Sequence, residues 1–320
     1  MAYSISIKLF ILLTLIFSTA LAQEDFSENT LIAHTGGVNS IDISSNGNYL
    51  ISGSKDQTVC VWNLKTNQLE KTLKFDGNSI KRVCFNKDGS KFLVALYEQF
   101  MEINFLNFKR KSSKKNAHSS FVEACNYSSD DKFILTSSWR DKSLVIWKAN
   151  NFKKEIELDE KDNWIDNAIF NKNSTLVFSG GHDNMIKLWN LSTGGLVKSF
   201  AGHDDWVYDV CLSDDENTLY SGSFDKLIKV WDVKSGKNTG TLKGHTEGIV
   251  CLDMSKDSKF LASGGADNTI IIWDLTTKKE VQKLVGHQGT VMDLKFSNDN
   301  KTLYSCSIDK TIKIWKLNLQ

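Results

Sequence analysis

The chain of 320 residues carries 39 lysines and arginines against 38 aspartates and glutamates, a balance that leaves no net field to steer it to nucleic acid or an anionic membrane. Proline is absent, so every turn is left to Gly, Asn, Asp and Ser, the residues that stand between the predicted strands. Length alone allows two domains, but an internal repeat overrides that prior, because each copy buries its apolar face only against the next.

Residues 1–22 differ from everything that follows. Lys8 precedes an uncharged run from Leu9 to Ala22, and Ala20-Leu21-Ala22 has the small-x-small form of a signal-peptidase site. The run is short for a membrane span. These features predict a secretory signal peptide over 1–22, a short linker over 23–28, a secreted or secretory-pathway protein, and no stable membrane span in the mature chain. An uncleaved signal anchor or a wrongly chosen start codon, with the chain in the cytoplasm or nucleus, is the alternative.

From residue 29 the chain reads as strands. Thr30-Leu-Ile-Ala-His34 parallels Thr241-Leu-Lys-Gly-His245, so the first segment reads as an outer strand without its own inner three. Repeat one runs from His34 to about Leu73, with Val59 to Trp62 as its third strand and Gln68 to Leu73 as its outer one. Repeat two is blurred: extrapolation puts Asp76, Val94, Glu98 and Asn104 where other copies carry His, Ser, Asp and Trp, so the blade is expected to be held by packing alone. Five basic residues follow between Lys109 and Lys115, read as a solvated rim loop, or else as a contact for an acidic partner or a nuclear address.

The remaining copies are regular. Trp147, Trp189, Trp231, Trp273 and Trp315 stand 42 residues apart, and Trp62 lies 85 before Trp147. Six residues before each Trp is an Asp (Asp56, Asp141, Asp183, Asp225, Asp267, Asp309), and ten before it a Ser (Ser52, Ser137, Ser179, Ser221, Ser263, Ser305). A His stands 28 earlier at His34, His203, His245 and His287 and 29 earlier at His118, while repeat four has Lys161 there. The last copy ends five residues past Trp315 and lacks a fourth strand.

The pattern has a physical reason. A buried indole N–H needs an acceptor, and a Ser hydroxyl accepts it while donating to an imidazole, whose other N–H goes to the Asp carboxylate. Such a chain ties three strands to a turn, and removing one member leaves its neighbours unpaired at roughly 1–3 kcal/mol each. The tetrads therefore read as architecture. A metal site is not expected, because the His residues occupy equivalent places in different repeats and no three converge.

This repetition resembles the WD-repeat family of β-propellers, over nearly the whole chain after about residue 28. The resemblance implies an all-β, seven-bladed ring of four-stranded sheets over 29–320. The N-terminal outer strand and the missing last strand then complement each other, closing the ring in the final blade. The six cysteines (Cys60, Cys84, Cys125, Cys211, Cys251, Cys306) fall in strands of six repeats, and no disulfide framework is legible. Four sequons at Asn126, Asn173, Asn190 and Asn300 are expected on or toward the face opposite the His loops.

No phosphate loop, nucleophile elbow or paired Cys ligands appear, and neither an enzyme nor a cofactor is expected. The remote hydrolase reading rests on Glu123 and Asp166, at equivalent first-strand places in adjacent blades. The binding reading has more material. In the fold the resemblance implies, the His loop and the Asp turn share one face, the top, where three places per repeat point outward. They hold Phe121, Glu123 and Arg140, then Trp164, Asp166 and His182, then Trp206, Tyr208 and Phe224 in repeats three to five. In repeats one, six and seven they hold Gly37, Asn39 and Lys55, then Gly248, Val250 and Ala266, then Thr290, Met292 and Ile308. Aromatics with Arg are typical interface anchors. The expectation is a non-catalytic scaffold, monomeric within a larger complex, that docks a protein or peptide through Phe121, Arg140, Trp164, His182, Trp206, Tyr208 and Phe224. Aromatics that only cap the channel are the competing reading.

Overall fold

A computed structural model describes residues 29–159 and 163–319. The described residues form seven antiparallel sheets of four strands and no helix. The innermost strands are Val38–Ile43, Arg82–Phe85, Val122–Tyr127, Ile165–Phe170, Val207–Leu212, Ile249–Met254 and Val291–Phe296, one for each of blades one to seven. Each core cluster joins two neighbouring blades, as where Phe178, Phe200, Val207 and Trp231 meet between blades four and five. A blade alone would leave that apolar face in water, so the ring is the unit that folds. The proposed signal peptide over 1–22, the linker over 23–28 and Lys161 lie outside the described residues.

Closure follows the expected route. Asn29–Leu31 pairs antiparallel with Ile312–Lys316 in the register Asn29 to Ile314 and Leu31 to Ile312, making the fourth strand of blade seven. Leu31 is buried there in a cluster that reaches Val38 and Trp62 of blade one.

Two local registers differ from the repeat count. In blade three Ile134 pairs with Trp147, which places Thr136 on the face where blade five has Ser221. The turn here is one residue longer, which is why His118 lies 29 rather than 28 before its Trp. Thr136 therefore replaces Ser137 in the tetrad. Ser137 points to the other side, where its Oγ accepts from Ala124 N and donates to the Ile165 carbonyl.

In blade two Phe92 pairs with Ile103 and Val94 with Met101, so the turn is one residue shorter and Ile103, not Asn104, stands at the Trp place. Glu98 takes the left-handed place of that turn (φ 58°), as Lys226 does in blade five (φ 72°), and so does not correspond to the tetrad Asp. Phe85, Phe92, Phe105, Phe108 and Tyr49 pack edge-on in the core between blades one and two, beside Val94 and Ile103 at the Ser and Trp places. The basic stretch is also not a loop. Arg110–Lys114 is the outer strand of blade two, with Arg110 over the Phe75 ring and Lys111 3.3 Å from the buried Glu102.

Candidate functional site at the channel mouth

The tetrads hold the loops that carry the site. In blade five Trp231 Nε1 donates to Ser221 Oγ at 2.8 Å, Ser221 stands 2.7 Å from His203 Nε2, and His203 Nδ1 2.7 Å from Asp225 Oδ2. The same chain recurs through His34, Ser52, Asp56 and Trp62, through His245, Ser263, Asp267 and Trp273, and through His287, Ser305, Asp309 and Trp315. In blade three it runs from Trp147 through Thr136 and His118 to Asp141. Burial alone would raise the Asp141 carboxyl, but the hydrogen bond and charge of His118 outweigh it and hold the group down at about 2. Blade four keeps Trp189 on Ser179 at 3.0 Å, and the buried Asn163 accepts the backbone N–H of Asp183. Among the described residues no group of three or more His, Cys, Asp or Glu is arranged to hold a metal.

Bulges aim the top-face residues. In blades one, four, five, six and seven the innermost strand has one unpaired residue after its first Val or Ile: Asn39, Asp166, Tyr208, Val250 and Met292. In blade three the shift takes in Glu123. A bulge swings its side chain out of the sheet's alternation, here toward the channel mouth.

The aromatic residues of blades three to five form one continuous stripe. Trp164 stacks on Trp139 at 5.7 Å between centroids and meets the His182 ring at 5.1 Å. His182 stacks on Trp206 at 4.0 Å, and Trp206 continues to Phe224 at 6.1 Å, with Tyr208 against the rings of His182 and Phe224. Beyond its far end Phe121 packs on Tyr97 at 5.0 Å, and the Lys81 ammonium, 4.8 Å from the Phe121 ring and 5.8 Å from the Trp139 ring, links that pair to the stripe. Trp139, Trp164, Trp206 and Phe224 remain 38–42% exposed, far above the tetrad tryptophans at 5% or less. These rings are therefore not simply core.

Sequence counting missed Trp139, Tyr97 and Lys81. With the longer turn of blade three, Trp139 occupies the place equivalent to Phe224, and Arg140 is the added residue, exposed at the turn's tip and outside the stack. The 29-residue spacing of His118 was the available signal. At the other end Phe224 lies over Gly248, where an added Cβ would come 2.3 Å from its ring. Ile308, 41% exposed, lies against Gly37 and Gly289 in the same manner on the plainer arc.

Acidic groups lie beneath the rings. Trp139 Nε1 donates to Asp166 Oδ1 at 3.2 Å, and Lys81 bridges to Glu123 at 3.1 Å. Burial, followed by the charges of Asp166, Glu123 and Asp205, pushes the Tyr208 phenol up to about 12. Glu123 and Asp166 thus have different partners. A cavity of about 510 Å³ fills the channel below, lined by Arg82, Asp209, Asp253, Asp293 and Lys295 and by the first-to-second-strand turns of the opposite face. Among the sequons, Asn173 and Asn300 lie in those turns and Asn190 ends a third strand. Asn126 differs, because its amide donates to the Ala168 carbonyl on the channel wall.

Comparison with known proteins matches the model described as "WD domain, G-beta repeat" to residues 26–63, 110–148, 154–190, 194–232, 236–274 and 278–316, leaving out the outer strand of blade one and the first three strands of blade two. A guanine nucleotide-binding protein subunit beta of Oryza sativa subsp. japonica is 24% identical over 188 residues, 54% of this chain and 50% of that protein. Its counterpart in Arabidopsis thaliana is 25% identical over 189 residues, again 54% and 50%. The nuclear distribution protein nudF of Aspergillus niger is 26% identical over 180 residues, 55% of this chain and 41% of that protein. The alignments span half or less of these relatives' own length.

Proposed function

The chain belongs to the WD domain, G-beta repeat family, and on that premise we propose that it is a non-catalytic scaffold that docks a protein or peptide on its top face. The observation that carries this reading is the half-exposed ring stripe from Trp139 to Phe224, confined to one arc of the mouth. Aromatic faces of this size desolvate at little entropic cost, which is what interface anchors require. The family relation to G protein β subunits supports a protein partner in general terms.

The test is capture of the native partner by surface variants. Trp206→Ala and Phe224→Ala are expected to weaken capture more than tenfold, about 1.4 kcal/mol, with little change in melting temperature. Lys55→Ala and Thr290→Ala on the opposite arc are expected to matter less. Capture of the same partners at wild-type level by both aromatic variants would overturn the assignment.

The compartment is a separate proposal. Lys8 and the run from Leu9 to Ala22 support secretory entry with cleavage before Gln23. Sequencing the N-terminus of protein from its own cell tests it, and an intact Met1 or Ala2 would favour a cytoplasmic or nuclear scaffold.

A further inference from the structure

Among the described residues, the buried side-chain atoms without a directed hydrogen bond are Glu123 Oε1, which the Lys81 ammonium nonetheless neutralises at 3.1 Å, Ser138 Oγ, Asp166 Oδ2 and both ring nitrogens of His182. All lie in blades three and four, on the side of the ring that carries the stripe. An unpaired buried polar group is costly, more so when charged, and a cluster of them marks a place that expects an occupant. The side chains of Asp166 and His182 are both only 9% exposed. His182 Nε2 comes within 2.7 Å of Asp166 Oδ2 but out of hydrogen-bond direction, and no lysine or arginine among the described residues pairs with this carboxylate.

The chain itself shows what such a place holds. One blade earlier the Lys81 ammonium sits 3.1 Å from Glu123 and 4.8 and 5.8 Å from the rings of Phe121 and Trp139, a cation between a carboxylate and aromatic faces. Asp166 has the same surroundings without that cation: Trp139 on its Oδ1, with Trp164 and Trp206 packed around its His182 neighbour.

We propose that this seat, floored by Asp166 and His182 and walled by Trp139, Trp164 and Trp206, receives the guanidinium of an arginine side chain from the docked partner. The inference rests on the top-face reading above and names the chemistry of its anchor. A guanidinium suits the seat better than an ammonium for two reasons. Its flat face can lie on the half-exposed ring of Trp139, Trp164 or Trp206, which a tetrahedral ammonium cannot match. Its fork of five N–H donors can serve Asp166 Oδ2 and a neutral imidazole nitrogen together.

The test is titration of the full chain with Nα-acetyl-arginine amide, followed by NMR of the indole N–H signals of Trp139 and Trp164. The expected result is a saturable shift, with the uncharged citrulline analogue and Nα-acetyl-lysine amide at least tenfold weaker. Asp166→Asn keeps an oxygen for Trp139 and is expected to weaken the arginine amide at least tenfold. If that variant melts lower than wild type, Trp164→Ala takes its place with the same expectation. No saturable shift, an equal response to citrulline or lysine, or unchanged binding by the variants would overturn the proposal. Tighter binding of free L-arginine than of the blocked amide would also overturn it, in favour of a small metabolite. The two readings fail separately: partner capture lost in Trp206→Ala with no arginine binding removes only the guanidinium, whereas Asp166-dependent arginine binding with capture intact in both aromatic variants removes only the docking face.

Discussion

A single hydroxyl decides whether a tetrad holds, and blade three shows how narrowly it is placed. Thr136 Oγ1 accepts from Trp147 Nε1 at 2.7 Å and meets His118 Nε2 at 2.7 Å, so a threonine does what serine does elsewhere. Thr136→Val keeps the shape, removes the oxygen and strands both partners, and is expected to cost about 1–3 kcal/mol in chemical denaturation, whereas Thr136→Ser is expected to cost less than about 1. A neutral Thr136→Val would restore Ser137 to the tetrad. In blade five Trp231→Ala removes a fully buried ring and unpairs Ser221, with an expected loss of roughly 3–5 kcal/mol. Asn104→Ala is expected to be mild, because Asn104 follows the buried Ile103 and only accepts from Asn107 N in an exposed turn. Thermal melts that perturb the two equally would contradict the register.

At the scale of the element, closure is the clearest case. Deleting residues 1–33 removes the strand paired with Ile312–Lys316 and uncovers Ile312 and Ile314, while deleting 1–22 leaves it in place. The longer truncation is expected to melt well below the shorter one, and equal melting temperatures would mean that blade seven holds with three strands. Blade identity and strand order were legible because His, Ser, Asp and Trp recur at fixed offsets that a folded tetrad enforces. Positions counted from the Trp alone failed where a turn changed by one residue between the second and third strands, since pairing, not sequence distance, places the side chain. Thr136, Ile103 and Trp139 were all displaced by that single cause. The site was legible as an arc of aromatics. Its stacking on His182 was not, because ring-to-ring geometry depends on bulges that leave no mark in one sequence.

Across the whole molecule, buried charges join blades that are not neighbours. Arg82 of blade two reaches past blade one to Asp293 Oδ2 of blade seven at 3.4 Å, and that oxygen also accepts from Ser40 Oγ and Ile41 N of blade one. Across the channel Asp209 accepts from Leu252 N at 2.7 Å and from Asn167 Nδ2. Burial pushes the Asp209 carboxyl up to about 6 against the opposing charge of Arg82, and Asp253 rises likewise against Lys295. An unfolded Asp titrates near 3.9, so between about pH 4 and 6 the folded chain binds more protons at these groups. Their contribution to stability therefore falls as pH rises through that window and is level above it. The tetrad carboxyl of Asp141 has the opposite sign and a lower window, its stabilisation being lost as pH falls from about 4 toward about 2. His34, lowered by burial against the pull of Asp56, loses stabilisation as pH falls below the ordinary histidine range, so the profile of the whole protein mixes signs. Asp209→Asn isolates one contribution, because the variant cannot titrate there. Its stability deficit against wild type, from urea denaturation, is expected to be larger at pH 4 than at pH 7 by roughly 1–3 kcal/mol. At pH 4 the wild-type carboxyl is protonated and suits its burial, whereas at pH 7 it carries a charge that burial penalises and the variant lacks. Equal deficits at the two pH values would mean that Arg82 keeps Asp209 ionised throughout, and that the channel charges act as one fixed network.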